Sequence, residues 1–239
     1  MGAIRRRGYG ACPVLTLPMT HSPSAVALHH PLGASTGYLD ARGDWEALVG
    51  DASAVSSFAV ELAALDEAEL PGLVAFLRAR PALPFRYLSV HAPAKHRRLP
   101  EADLIEVLTG LRGYADAFVV HPDTLEEPER WKALGACLVL ENMDPRKADG
   151  RTVEELEPYF AALPEAGFCL DIAHAAAVDP GEADRLLDAF AQRLRHLHVS
   201  SLNADCHHVA LDPSDEAAWA QVLRRCRDVP WILEAPLPR

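Results

Sequence analysis

The chain has 239 residues, 49% of them hydrophobic and 24% charged, enough for one domain with a substantial core and too apolar for a disordered chain. A net charge of −11 argues against broad electrostatic capture of nucleic acid, and no run approaches the roughly 18 consecutive apolar residues of a membrane helix. Five cysteines without a CxxC pair (Cys12, Cys137, Cys169, Cys206 and Cys226) read as thiols of a reducing compartment, so a cytoplasmic protein is expected.

The basic start of the chain runs into a short apolar patch that Pro13 and Pro18 interrupt, and no small-residue cleavage site follows. Residues 1–20 read as an N-terminal extension, disordered or loosely docked, ahead of a single catalytic domain over 21–239. In that domain short apolar runs each end on a polar residue: AVALHH (25–30), FAVEL (58–62), YLSVH (87–91), AFVVH (117–121), CLVLE (137–141), GFCLD (167–171), LRHLHVS (194–200) and WILE (231–234). Strands buried on both faces look like this.

Helical stretches lie between the runs. Residues 100–115 open on Pro100 and acidic residues, 127–135 close on Gly135, and 152–164 begin with Thr152 and Glu155 at capping-box spacing. Residues 181–194 place Leu186, Leu187, Phe190 and Leu194 on one face, and 215–226 do the same with Ala218, Val222 and Cys226. Strands alternating with helices predict parallel βαβ units. Eight strand candidates without a glycine-rich phosphate turn favour an α/β fold of the (β/α)8 TIM barrel type over an open doubly wound sheet. The chain ends five residues after Glu234, so the final helix is expected to be missing. The N-terminal extension, or a second subunit in a homodimer, is expected to cover the flank of the last and first strands.

Active sites of parallel barrels lie at the C-terminal ends of the strands. Six of the runs end on or near a residue able to ligate a metal: His91, His121, Glu141, Asp171, His198 and Glu234. His174, Asp205 and His207 follow in the adjoining loops, with His208 an alternative to His207. Carboxylates and imidazoles converging in a low-dielectric pocket need a cation to neutralise them. The mixture suits Mn, Zn, Fe, Co or Mg as divalent ions, one to three of them, and Cys206 is a weak candidate ligand.

The strings VHAP (90–93), VVHPD (119–123), LENMD (140–144), LDIAHA (170–175), LHVSS (197–201), DCH (205–207) and LEAP (233–236) resemble the xylose isomerase-like TIM barrel superfamily. That group holds sugar isomerases, ketose 3-epimerases, inosose dehydratases and endonuclease IV. The resemblance to the epimerases implies one divalent metal held by Glu141, Asp171, His198 and Glu234, with Glu141 and Glu234 as a catalytic pair and His174 orienting substrate. The resemblance to endonuclease IV implies a multinuclear site that adds His91, His121, His174, Asp205 and His207 and hydrolyses phosphodiesters. A multinuclear-iron branch of similar barrels is a further alternative. The loop after strand seven lacks Lys and Arg and the protein is acidic, so a small polyol or sugar is the expected substrate ahead of nucleic acid. The cluster KHRR, with Lys95, Arg97 and Arg98, and the later Arg146 and Lys147, are candidate contacts to a substrate phosphate or carboxylate.

Overall fold

The computed structural model describes residues 24–29, 31–95 and 97–237. The expected extension over 1–20 lies outside them. Eight parallel strands close a barrel: β1 (Leu32–Ser35), β2 (Ala59–Ala63), β3 (Tyr87–His91), β4 (Ala117–Val120), β5 (Leu138–Glu141), β6 (Gly167–Asp171), β7 (Leu194–Val199) and β10 (Trp231–Leu233). Between the last two, β8 (Ser201–Leu202) and β9 (His208–Val209) form a small antiparallel hairpin. The expected TIM barrel is present.

The first strand is not where the apolar pattern puts it. Residues Ala25–Leu28 form a short helix capped by Ser24, and β1 is the small-residue segment after Pro31. Close packing explains the weak hydrophobic signal there. A Cβ on Gly33 would lie 2.7 Å from the Ala59 Cβ and 2.8 Å from the Ala59 carbonyl oxygen, so bulk is excluded where β1 approaches β2. The displaced apolar residues still do structural work. Val26 is buried, and the His29 ring stacks on Trp231 at 3.6 Å, so this segment packs against the start of β10.

Three further expectations need correction. The stretch 215–226 breaks at Trp219 into helices Pro213–Ala218 and Ala220–Arg225, which leaves Ala218 exposed and buries Val222, Leu223 and Cys226. Leu194 is the first residue of β7 instead of a helical one. Helix Val153–Ala162 does start at Thr152, whose hydroxyl accepts from the Glu155 amide at 3.4 Å. The Glu155 carboxylate turns to the Arg151 amide at 2.8 Å, so only half of the capping box forms.

Strand alternation divides the interior. Phe118, Val120, Leu138, Leu140, Phe168, Leu170, Leu197 and Val199 point outward into one large apolar shell shared with the helices, where Phe160, Phe168 and Phe190 meet edge-on or tilted. Inside the barrel the apolar filling is small: Ala117, Val119, Val139 and Cys169, with Tyr87 against them. Glu61, Ser89, His91, Glu141, Asp171, His196 and His198 share that inner face by the same alternation, and all are buried. Among the described residues Cys137, Cys169, Cys206 and Cys226 are free thiols, and no helix is long and apolar enough to cross a membrane.

Candidate metal centre

The inner face delivers its polar side chains to the C-terminal mouth of the barrel, at the bottom of a cleft of about 470 Å³. His91 ends β3. Its Nδ1 lies 2.9 Å from the Ala92 carbonyl oxygen, which can only accept, so Nδ1 donates there and Nε2 faces the site. That Nε2 is 3.1 Å from Glu141 Oε2 and 3.2 Å from His121 Nε2. His174 is fixed the same way, with Nδ1 donating to the Asn142 carbonyl oxygen at 3.0 Å.

Glu141 ends β5 and is the hub. Its Oε2 is 3.3 Å from His121 Nε2, and its Oε1 lies 3.2 Å from His198 Nδ1 and 3.5 Å from His174 Nδ1. Glu234, just after β10, brings Oε1 to 3.4 Å from His198 Nδ1. Asp171 caps the helix Ile172–Val178 by accepting the His174 amide on Oδ1 at 2.8 Å, while its own amide donates to Asn142 Oδ1 at 2.8 Å. Those bonds hold the carboxylate still and leave Oδ2 aimed at its neighbours.

The result is four donor sets, each with ligand atoms within 4.8 Å of one another: His91, His121 and Glu141; Glu141, Asp171, His198 and Glu234; Asp171, His174 and His208; and Cys169, His196 and His198. Seven of the nine residues expected from the sequence meet here. Asp205 and His207 do not join the sets. Both are exposed, and the Asp205 carbonyl oxygen accepts from Arg146 Nη1 at 2.9 Å. His207 lines the cleft, but the turn through Cys206, at φ 53°, and the start of β9 bring His208 to the donors in its place. The His208 Nδ1 sits 2.7 Å from Ser200 Oγ and 3.3 Å from Glu234 Oε2.

The expected basic contacts also divide. Lys95, Arg146 and Lys147 line the cleft. Arg97 turns away to the Thr124 carbonyl oxygen at 2.9 Å and the Glu126 carboxylate at 3.0 Å, and the Arg98 amide donates to Glu67. Neither of those arginines lines the cleft. Arg146 is clamped on Asp144 at 2.8 and 2.9 Å, and Lys147 pairs with Asp123 at 2.8 Å. Lys95 is the cleft cation without a carboxylate partner among the described residues.

Sequence reasoning missed Glu61. It lies within β2, wholly buried, with Oε2 3.2 Å from His198 Nε2 and 2.9 Å from the donating Ser89 hydroxyl. A carboxylate inside the apolar run FAVEL was the signal.

The electrostatics test whether this set suits a cation. Burial would raise Glu141, but His198, His121 and His91 outweigh it and hold the carboxyl well below its ordinary value. Glu234 goes the other way: burial, reinforced by Asp171, Glu141 and Glu61, pushes it well above, against the pull of His198. Burial takes His208 down to about 4. Asp171 Oδ2 and Glu234 Oε2 are buried without a hydrogen bond among the described residues. Unmet carboxylate oxygens beside the His198 imidazole fit a divalent cation such as Mn, Zn, Co or Fe. Glu141, Asp171, His198 and Glu234 would hold it.

No family model matches the sequence, and no curated protein matches it. Solved structures do. The 3-keto-D-glucoside 4-epimerase YcjR from E. coli, in its apo form, superposes with a TM-score of 0.57 at 14% identity over 87% of this chain and 92% of that one. An L-ribulose 3-epimerase gives 0.52 at 12% identity over 85% and 81%. At those identities the likeness establishes the fold. The chain shares the TIM-barrel fold of these two epimerases.

Proposed function

We propose that the chain is a divalent-metal-dependent isomerase or epimerase of a small sugar or polyol, phosphorylated or free. The observation that carries this reading is the quartet Glu141, Asp171, His198 and Glu234, gathered at the bottom of a cleft whose size suits a small ligand. A divalent cation held there would polarise a carbonyl and hydroxyl pair on the substrate and acidify the adjacent C–H. Glu141 and Glu234 both line the cleft, in settings that push their acidities apart, as paired acid and base roles require. One takes the carbon-bound proton. The other, protonated beforehand, donates its own proton to the opposite face in an epimerisation or to the neighbouring carbon in an isomerisation. His174, held by Nδ1, offers Nε2 to a substrate hydroxyl, and Lys95 offers its ammonium to an anionic substituent.

A second reading, a multinuclear phosphodiesterase of the endonuclease IV kind or a multinuclear-iron enzyme, rests on one observation. The two flanking donor sets share Glu141 and Asp171 with the quartet, so the centre has residues for more than one ion. The net charge of −11 works against capture of a duplex.

The test is proton exchange. The protein loaded with Mn²⁺ or Co²⁺ is incubated in D2O with a panel of ketoses, ketose phosphates, inososes and 3-keto-glucosides. The expected result is deuterium on carbon beside the carbonyl of at least one of them, suppressed by a chelator. No exchange with any of them, together with cleavage of a phosphodiester or of abasic DNA, moves the assignment to the second reading.

A further inference from the structure

We propose that Glu61 is a positioning residue: it anchors His198 by Nε2 and thereby makes Nδ1 the nitrogen that His198 offers to the metal centre. The role rests on the metal-dependent reading above.

The geometry separates Glu61 from the donors themselves. His198 is an imidazole between carboxylates, with Glu61 Oε2 3.2 Å from Nε2 on one edge. On the other, Glu141 Oε1 at 3.2 Å and Glu234 Oε1 at 3.4 Å face Nδ1. Glu61 does not line the cleft and belongs to none of the donor sets. It is fully buried on β2, a place where a carboxylate is costly unless its oxygens are satisfied. The Ser89 hydroxyl donates to Oε2 at 2.9 Å, and the Ser35 hydroxyl reaches Oε1 at 3.5 Å. Neighbouring strands therefore fix the carboxylate from both sides, with Ser35 on β1 and Ser89 on β3 in register with Glu61.

A carboxylate can only accept, and carboxylates face both nitrogens of His198. A cation held by Glu141, Asp171 and Glu234 would take the place of the proton on Nδ1, while Glu61, outside the donor sets, keeps the proton on Nε2. Carboxylates that hold a ligating imidazole in this way set its tautomer and ring angle. His196, two residues earlier on the same face, does not compete for the role. Its Nε2 lies 3.6 Å from Glu61 Oε2, and its Nδ1 is 2.8 Å from the Tyr87 hydroxyl. With both nitrogens of His198 engaged, none is left for a second ion between His198, His196 and Cys169.

The experiment reads the Nε2–H proton of His198 by NMR on protein labelled with ¹⁵N-histidine, and zinc affinity by competition with a chelator. The wild type is expected to show an exchange-protected, downfield Nε2–H resonance with and without zinc. Glu61→Ala is expected to lose that resonance and to bind zinc roughly 10- to 100-fold more weakly. Glu61→Gln keeps an accepting carbonyl, so the resonance survives, moved upfield, and the affinity loss is about tenfold or less. A variant that folds, by circular dichroism, yet leaves both resonance and affinity at the wild-type values overturns the proposal. If the wild type takes up no zinc, the metal-dependent reading fails by itself. The resonance then still decides on Glu61: its loss in Glu61→Ala sustains the anchor, and its persistence removes it.

Discussion

Along β6, Phe168 and Leu170 turn outward into the apolar shell while Cys169 and Asp171 turn into the barrel, and β5 and β7 repeat the division with Leu138 and Leu140 against Glu141, and Leu197 and Val199 against His198. The outer face is continuous hydrocarbon and aromatic surface packed on helices. The inner face holds buried carboxylates and imidazoles around a few small apolar residues. One strand therefore serves two purposes through its two-residue period. The shell supplies the burial that stabilises the fold, at about 25 cal/mol per Å² of apolar surface. That surplus lets the interior keep charged groups that would be costly in any core lacking a partner for them.

Substitutions can break this division. The largest effect is expected at the hub: Glu141→Gln removes one carboxylate shared by two donor sets, and the purified variant is expected to carry no divalent ion while keeping its circular dichroism spectrum. Retention of wild-type metal content would show that the interior does not work as a shared centre. On the other face, Phe168→Ala is expected to lower stability by about 3–5 kcal/mol, read by urea unfolding, with metal per folded chain unchanged. A loss of metal in that variant would mean that shell and interior are not separable.

The smallest effect concerns acid. Burial would raise Asp144, but its bonds to Arg146 outweigh that and hold the carboxyl at about 2. Asp144 therefore contributes stability that is full above the ordinary carboxylate value and fades as pH falls from about 4 towards 2. Asp144→Asn is expected to flatten that part of the melting temperature profile of chelated protein. An unchanged acid limb would place the acid sensitivity elsewhere.

The legible part of the molecule was the part where one residue decides. YLSVH and GFCLD are strands to the residue because both of their faces are buried and a polar residue ends each. His91, His121, Glu141, Asp171, His174, His198 and Glu234 converge because strand ends of a barrel must. β1 was hidden because its constraint is closeness, not hydrophobicity: Gly33 is small so that β2 can approach, and small residues leave no apolar trace. Glu61 was hidden because one carboxylate in an apolar run looks the same in sequence whether it faces solvent or a histidine. His208 and His207 could be told apart only by the turn through Cys206, and the direction of Arg97 only by where the Thr124 carbonyl lies.

The most direct test of the central claim is metal content per chain, by elemental analysis of protein purified without chelator and then dialysed against Mn²⁺, Co²⁺ or Zn²⁺. At least one tightly held divalent ion is expected per wild-type chain and none in Glu141→Gln. A wild-type chain that holds no ion under any of these conditions would contradict that claim.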